Sequence, residues 1–290
     1  MADADTAGNR SELADELLAL AVTLARRAGD AAAEARGDRT VAAGSVGTKS
    51  SATDLVTVHD RAAETVIVDG LLAARPDDAI VGEEGSDRPG RSGITWYVDP
   101  IDGTTNFVYG QPTWATSIAA VDDAGTLVGA VYLPVAGELF SAIRGRGATL
   151  DGETIRCSAQ TDLRLALLAT GFSYDAARRR EQANVVADLI GSVRDLRRLG
   201  SAAADLCFVA CGRVDAYYED GLRVWDVAAG ELIAREAGCR TGDLAGGPSS
   251  DDQVVAAAPA LFEELVDVLS AARAVRSGIM GIDGHPDPGR

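Results

Sequence analysis

Apolar residues recur at Leu13, Leu17, Leu20, Leu24 and Ala28 between Ser11 and Arg36, a spacing that predicts a long amphipathic helix. Residues 40–53 break that period with Gly, Ser and Thr and read as a loop or short hairpin. A second helix is predicted from about Thr57 to Ala74, with Val58, Ala62, Val66 and Leu71 or Leu72 inward and Pro76 closing it. The period then shortens towards two. Ala79-Ile80-Val81 reads as a short buried strand, and Trp96-Tyr97-Val98 as a strand stopped by Pro100. Residues 114–121, 126–133 and 137–143 form an antiparallel meander, and Leu150-Asp151-Gly152-Glu153 signals a further hairpin.

Near Cys157 the pattern changes. Strands at Leu165–Ala169, Asp215–Glu219 and Val254–Ala258 alternate with helices at about Glu181–Leu199, Ser201–Cys211, Val227–Ala237 and Ala260–Ala274. Such alternation predicts a second, layered α/β half. The expected organisation is a frayed stretch over residues 1–10, an N-terminal α+β half over 11–155, a C-terminal α/β half over 156–274 and a disordered tail over 275–290. No repeat or long linker separates the halves, so they should share one core.

Composition narrows the class. At 290 residues the chain exceeds the usual single-core size and requires one large layered domain or two subdomains. It carries no apolar run of about 18 residues, and its acidic start, Met-Ala-Asp-Ala-Asp, lacks the order of a signal peptide, so a cytoplasmic protein with no membrane partner is expected. Cys157, Cys207, Cys211 and Cys239 form no Cys-x-x-Cys pair and read as buried thiols, and two histidines make a zinc site a poor fit. A formal charge of −17 argues against a nucleic-acid surface. An acidic protein that handles a phosphate needs added cations. Lys49 is the single lysine among 27 basic residues, as expected of a site that needs a compact ammonium and cannot use a planar guanidinium.

The candidate chemistry lies in Trp96–Phe107. Asp99 and Asp102 stand three positions apart around Pro100, followed by Gly103, Thr104 and Thr105, where a helix could begin with unpaired N–H groups. Asp102 could instead merely cap that helix. The same alternative faces Asp60, three residues after Thr57, and Asp226 in Trp225-Asp226-Val227, while Glu83 in Gly82-Glu83-Glu84-Gly85 could belong to a solvated turn. If these acids gather, they repel one another unless cations join them, and oxygen-only ligands favour Mg²⁺. Gly47-Thr48-Lys49-Ser50 fails as a P-loop, and no Gly-x-Ser-x-Gly elbow occurs. The Asp-x-x-Asp spacing also departs from the Asp-x-Asp of enzymes that use an aspartate nucleophile.

Gly82-Glu83-Glu84, Asp99–Phe107 and Trp225–Gly230 resemble, in order and separation, the three signature segments of the inositol monophosphatase family. Lys49-Ser50-Ser51 through Asp54 to Asp60, and Gly200-Ser201-Ala202-Ala203, match as well; the resemblance spans roughly residues 12–272. It implies a layered αβαβα sandwich with a mostly antiparallel N-terminal sheet and a mixed α/β C-terminal half. It also implies Mg²⁺-dependent, lithium-inhibited hydrolysis of phosphate monoesters, by a homodimer. By matched position, Glu83, Asp99 and the Ile101 carbonyl would hold one metal, Asp99, Asp102 and Asp226 a second, and Glu83 with Asp60 a weaker third; Mn²⁺ could substitute. Thr104, hydrogen-bonded to Asp60, would orient a metal-activated water. The Gly103 and Thr104 amides would receive the phosphate. Glu219, the Ala202 amide, Ser201 and Asp226 would contact substrate, and Lys49 would neutralise the acids or meet the substrate.

Inositol 1-phosphate is the expected substrate. Fructose-1,6-bisphosphatase, histidinol-phosphate phosphatase and nucleotide 3′-phosphatase activities occur on similar scaffolds, and specificity should lie in Gly171-Phe172-Ser173 and near Glu219 and Arg223. A different expectation is a mainly non-catalytic partner in transcription or RNA processing.

Overall fold

A computed structural model of the protein describes residues 2–37, 41, 43–49, 55–250 and 253–280. The chain begins with helix α1 (Ala2–Arg36), a short antiparallel ribbon of β1 (Val46–Thr48) and β2 (Leu55–Thr57), and helix α2 (Val58–Ala74). A seven-stranded sheet follows: β3 (Ala79–Gly82), β4 (Thr95–Asp102), β5 (Ala115–Asp122), β6 (Gly125–Leu133), β7 (Glu138–Ile143), β8 (Ala148–Leu150) and β9 (Glu153–Thr154). Only the β3–β4 pair is parallel; β4 to β9 form an antiparallel meander in chain order. The one-turn helix α3 (Thr104–Val108) leaves the end of β4.

The second half contains β10 (Leu167–Thr170), α4 (Ala176–Leu189), β11 (Asp195–Arg197), α5 (Ala202–Ala210), β12 (Ala216–Asp220), α6 (Val224–Glu236), β13 (Arg240–Gly242), β14 (Gln253–Ala257) and α7 (Phe262–Met280). Its sheet runs β11-β10-β12-β14-β13, parallel on one side of β12 and antiparallel on the other.

Three apolar clusters stack these elements into an αβαβα sandwich. The outer cluster packs α1 and α2 on the first sheet through Leu17, Leu24, Ile67, Leu71, Trp96 and Ile118. Each of its fully buried Leu and Ile side chains contributes roughly 1.5–3 kcal/mol relative to exposure. The middle cluster holds α5 and α6 between the two sheets, through residues such as Phe140, Leu206, Tyr217 and Leu232. The third buries α4 and α7 against the far face of the second sheet. The fold expected of the sequence is the one observed, with the halves joined through α5 and α6.

Several boundaries differ. The helix expected over 181–199 covers Ala176–Leu189 instead, and its predicted end is the edge strand β11. Strand β13 was not expected at all. Helix α1 starts at Ala2, well before Ser11, and α7 continues to Met280 past the expected end of order; residues 281–290 lie outside the described residues, as do Ser50, Ser51 and Asp54.

Candidate active site at the joined sheet ends

Strand β4 sets the site. Asp99 pairs with Ser117 and Asp102 with Ala115, so three steps along β4 answer two along β5. In a regular strand, residues three apart face opposite sides; the extra residue at this bulge, beside the donor-less Pro100, lets both aspartates serve one cleft. Gly103 then turns with φ 94°, a left-handed conformation, and a side chain there would also lie 2.8 Å from the Gly200 carbonyl. Among the described residues no side chain caps α3, which leaves its first N–H groups to the cleft.

The cleft is a cavity of about 400 Å³ lined by Lys49, Glu83, Asp99, Ile101, Asp102, Gly103, Thr104, Ser201, Ala202, Glu219 and Asp226, among others. Of the residues expected to act in catalysis, to hold metal or to contact substrate, Asp60 alone is absent from its wall. Carboxylate oxygens of Asp99, Asp102 and Asp226 lie within 4.8 Å of one another, although the three residues come from two different halves of the chain.

Capping and gathering prove compatible, because a carboxylate has two oxygens. Asp102 Oδ2 accepts the Ser201 hydroxyl at 2.6 Å and the Ala203 N–H at 2.7 Å, so it sits on the N-terminus of α5, not that of α3. Asp226 Oδ2 accepts the Arg223 N–H at 2.7 Å, and Asp99 Oδ1 accepts the Ile101 N–H at 3.0 Å. Asp60 forms the capping box of α2: its Oδ2 accepts the N–H and hydroxyl of Thr57 at 2.7 and 2.5 Å. Asp60 Oδ1 is 3.1 Å from Thr104 Oγ1, which also lies 3.2 Å from the Ile101 carbonyl. Both oxygens of Asp60 are thus engaged, and Asp60 meets the cleft only through Thr104. The Ser201 hydroxyl is engaged too, donating to Asp102 and accepting the Ala204 N–H.

Electrostatics favour added cations. Burial, then Glu83, Asp102 and Asp226, raise Asp99 well above the ordinary carboxylate range. Burial, with Asp102 and Glu83 nearby, does the same to Asp226, and burial brings Asp102 to about 6 against its hydrogen bonds from Ser201 and Ala203. Lys49 places Nζ 2.7 Å from Glu83 Oε1 and 2.5 Å from Glu84 Oε1; burial opposes its charge, yet these two acids raise it. One ammonium does not balance the set. Glu83 Oε2 is buried with no hydrogen-bond partner among the described residues. An orphaned carboxylate oxygen beside three converging acids, with only oxygen donors, fits a hard divalent cation.

Other supports were not foreseen. Glu64 is buried in the inner face of α2, where it accepts the Glu84 N–H at 2.9 Å and the Ser86 hydroxyl at 2.6 Å, fixing the turn that carries Glu83. Its signal in the sequence is an acid four residues after Asp60 on an otherwise apolar stripe. Asn106 donates to the carbonyls of Thr113 and Leu199, tying α3 to the loop before α5. Tyr217 donates its hydroxyl to Glu219 Oε2 at 2.7 Å, and burial brings Glu219 to about 7.

A model of the inositol monophosphatase family matches residues 13–274. The chain belongs to the inositol monophosphatase family. An inositol-1-monophosphatase of Mycobacterium leprae is 47% identical over 241 residues, covering 78% of this chain and 81% of the relative. A protein of Escherichia coli named Nus factor SuhB is 44% identical over 233 residues, covering 80% of this chain and 86% of its own length. Among solved structures, an IMPase of Thermotoga maritima superposes with a TM-score of 0.81 at 30% identity, over 90% of this chain and 99% of that one. As a member of the inositol monophosphatase family, the chain is placed among phosphatases. Among the described residues, no helix is long and apolar enough to cross a membrane.

Proposed function

We propose that this protein hydrolyses a phosphate monoester with Mg²⁺, and that its substrate is a polyol phosphate of the inositol 1-phosphate kind. The observation that carries this reading is the convergence of Asp99, Asp102 and Asp226 from the two halves, beside the orphaned Glu83 oxygen, in one open cavity. The relatives named inositol-1-monophosphatase support the choice of ester.

Glu83, Asp99 and the Ile101 carbonyl would hold one cation, and Asp99, Asp102 and Asp226 a second. Bound divalent cations supply Lewis-acid stabilisation of the negative charge on the attacked phosphoryl group. The protein itself does the rest. The Gly103 and Thr104 N–H groups hold a phosphate oxygen. Thr104 Oγ1 has one proton to donate and lone pairs to accept with, so it orients a water and connects it to Asp60. Burial raises Asp60 above its ordinary range, which suits a group that takes up the proton released as water attacks. Water forms the new P–O bond as its proton passes through Thr104 to Asp60, the ester P–O bond breaks, and the leaving alkoxide takes a proton from solvent water in the open cleft. Glu219 and the Ala202 amide meet hydroxyls of the polyol. Lys49 offsets part of the acidic charge while no substrate is present.

The test is a panel of phosphate esters assayed with Mg²⁺, with and without lithium. Lithium-sensitive turnover of inositol 1-phosphate above that of fructose 1,6-bisphosphate, histidinol phosphate and nucleotide 3′-phosphates is the expected result; Mg²⁺-independent turnover or none would contradict it. The relatives named Nus factor SuhB support a second reading, in which the chain serves as a transcription partner. Rescue of cells lacking the protein by Asp102→Asn would favour that role over hydrolysis.

A further inference from the structure

At Gly171, one residue beyond β10, the backbone stands directly against a proposed substrate-contacting side chain. A Cβ built on Gly171 would fall 1.8 Å from Glu219 Oε2, 2.1 Å from Cδ and 2.2 Å from Oε1. The Glu219 carboxylate therefore occupies the space that any other residue at 171 would fill. We propose that Gly171 is a positioning residue: its missing side chain fixes where the Glu219 carboxylate stands in the cleft, and so sets selectivity for polyol esters. This rests on the reading of Glu219 as a contact for substrate hydroxyls.

The backbone cannot retreat to relieve the clash. Strand β10 pairs parallel with β12, Leu168 opposite Ala216, Ala169 opposite Tyr217 and Thr170 opposite Tyr218, so Gly171 continues this register beside Glu219. The Thr170 hydroxyl donates to the Tyr218 carbonyl at 2.8 Å, pinning the end of β10 to β12. On its other side β12 is held by β14, with Glu219 opposite Val254. Two fixed strands leave the side chain of Glu219 as the part that yields.

The carboxylate would have to yield far. Ordinary van der Waals contact needs a carbon–oxygen separation of roughly 3.4 Å or more, so an added methyl displaces the carboxylate by over an ångström. That breaks the 2.7 Å bond from the Tyr217 hydroxyl, which now orients Glu219 Oε2. The displaced group is the end of a flexible side chain in a half-open cleft, so the sheet keeps its register while the contact with substrate is lost. Shortening residue 219 by one methylene withdraws the carboxylate from the methyl, so Glu219→Asp should compensate.

The experiment compares kcat/KM for inositol 1-phosphate with that for phenyl phosphate, whose leaving group has no additional hydroxyl. Wild type, Gly171→Ala, Glu219→Asp, Glu219→Ala, Gly171→Ala with Glu219→Asp, and Gly171→Ala with Glu219→Ala are assayed at saturating Mg²⁺. Gly171→Ala is expected to lower the inositol-to-phenyl selectivity ratio by about tenfold or more, mainly through KM, the scale of losing one charged hydrogen bond. Adding Glu219→Asp should restore most of that ratio. In the Glu219→Ala background, where no carboxylate remains, Gly171→Ala should lower the ratio no further. An unaltered ratio in Gly171→Ala, equal loss on both esters, or an additive loss in the Glu219→Ala background overturns the inference. Those outcomes are separable from failure of the underlying reading, which Glu219→Ala reports by itself: if that variant keeps the wild-type selectivity, Glu219 is not the polyol contact. Should Gly171→Ala alone not fold, the two double variants still decide between these outcomes.

Discussion

Where β3 and β4 end, the cleft is lined by Glu83, Asp99 and Asp102, with Lys49 as their one ammonium and Asp226 closing the set. Where β10 and β12 end, Glu219 and Asp220 share the wall with Arg178, Arg198 and Arg223. The first region holds its acids on backbone N–H groups, at a bulge and at helix starts, and gathers more negative charge than the protein neutralises. In the second, basic groups accompany the acids: Arg178 pairs with Asp220, and Glu219 takes its bond from a neutral tyrosine. Excess charge held rigidly is a demand for cations, whereas a balanced wall with one adjustable carboxylate suits discrimination among neutral hydroxyls. On the proposed reading, chemistry and selectivity belong to different walls of the cleft and should separate on mutation.

The sharpest way to break that division is Asp99→Asn. It should lower kcat at saturating Mg²⁺ by about a thousandfold, the scale of losing a principal electrostatic stabiliser, on inositol and phenyl esters alike. Activity within a few-fold of wild type would remove Asp99 from the cation set. Thr104→Ala should cost about a hundredfold in kcat with little change in KM, as expected where a proton relay is lost. A loss confined to KM would instead make Thr104 a binding group. Glu64→Gln, which loosens the turn carrying Glu83, should weaken the apparent Mg²⁺ affinity about ten- to a hundredfold while leaving kcat at saturating Mg²⁺ less affected. Titration of activity with Mg²⁺ reads this directly.

The smallest effect concerns stability. Asp102 and Glu219 are raised in the folded protein to about 6 and about 7. Their folded pKa values exceed those of the unfolded chain, so their contribution is full below about pH 4 and is lost as pH rises through 6 and 7. The cation-free protein should therefore melt at a lower temperature at pH 7.5 than at pH 5.5, by on the order of a few degrees. Mg²⁺ should raise Tm more at the higher pH. Equal Mg²⁺ stabilisation at both values would contradict the charge balance described for the first wall.

How legible each region is in the sequence follows from how its residues are placed. The meander from β5 to β9 is made of β-rich runs separated by turns at Gly, Asp and Pro, so its strands emerge directly. Glu83, Asp99 and Asp102 stand beside Gly and Pro at strand ends, but taken singly such acids also suit caps and solvated turns, and it is the resemblance to the family's signature segments that groups them with Asp226. Strands β11 and β13 do not emerge: each is a three-residue edge of the second sheet, Asp-Leu-Arg and Arg-Thr-Gly, with one flank unpaired and little apolar alternation to detect. Glu64, and the particular role of Gly171 within the segment expected to set specificity, are hidden for another reason. A buried acid in a helix and a glycine past a strand acquire meaning only from what faces them, the Glu84 amide in one case and the Glu219 carboxylate in the other. Capping likewise masked the site, since Asp60, Asp102 and Asp226 all do bond to backbone or hydroxyl groups at helix starts.

The most direct measurement is an anomalous difference map from crystals equilibrated with Mn²⁺. Two peaks are predicted, one against Glu83, Asp99 and the Ile101 carbonyl and one among Asp99, Asp102 and Asp226. A map without density between those carboxylates at saturating Mn²⁺ would contradict the account.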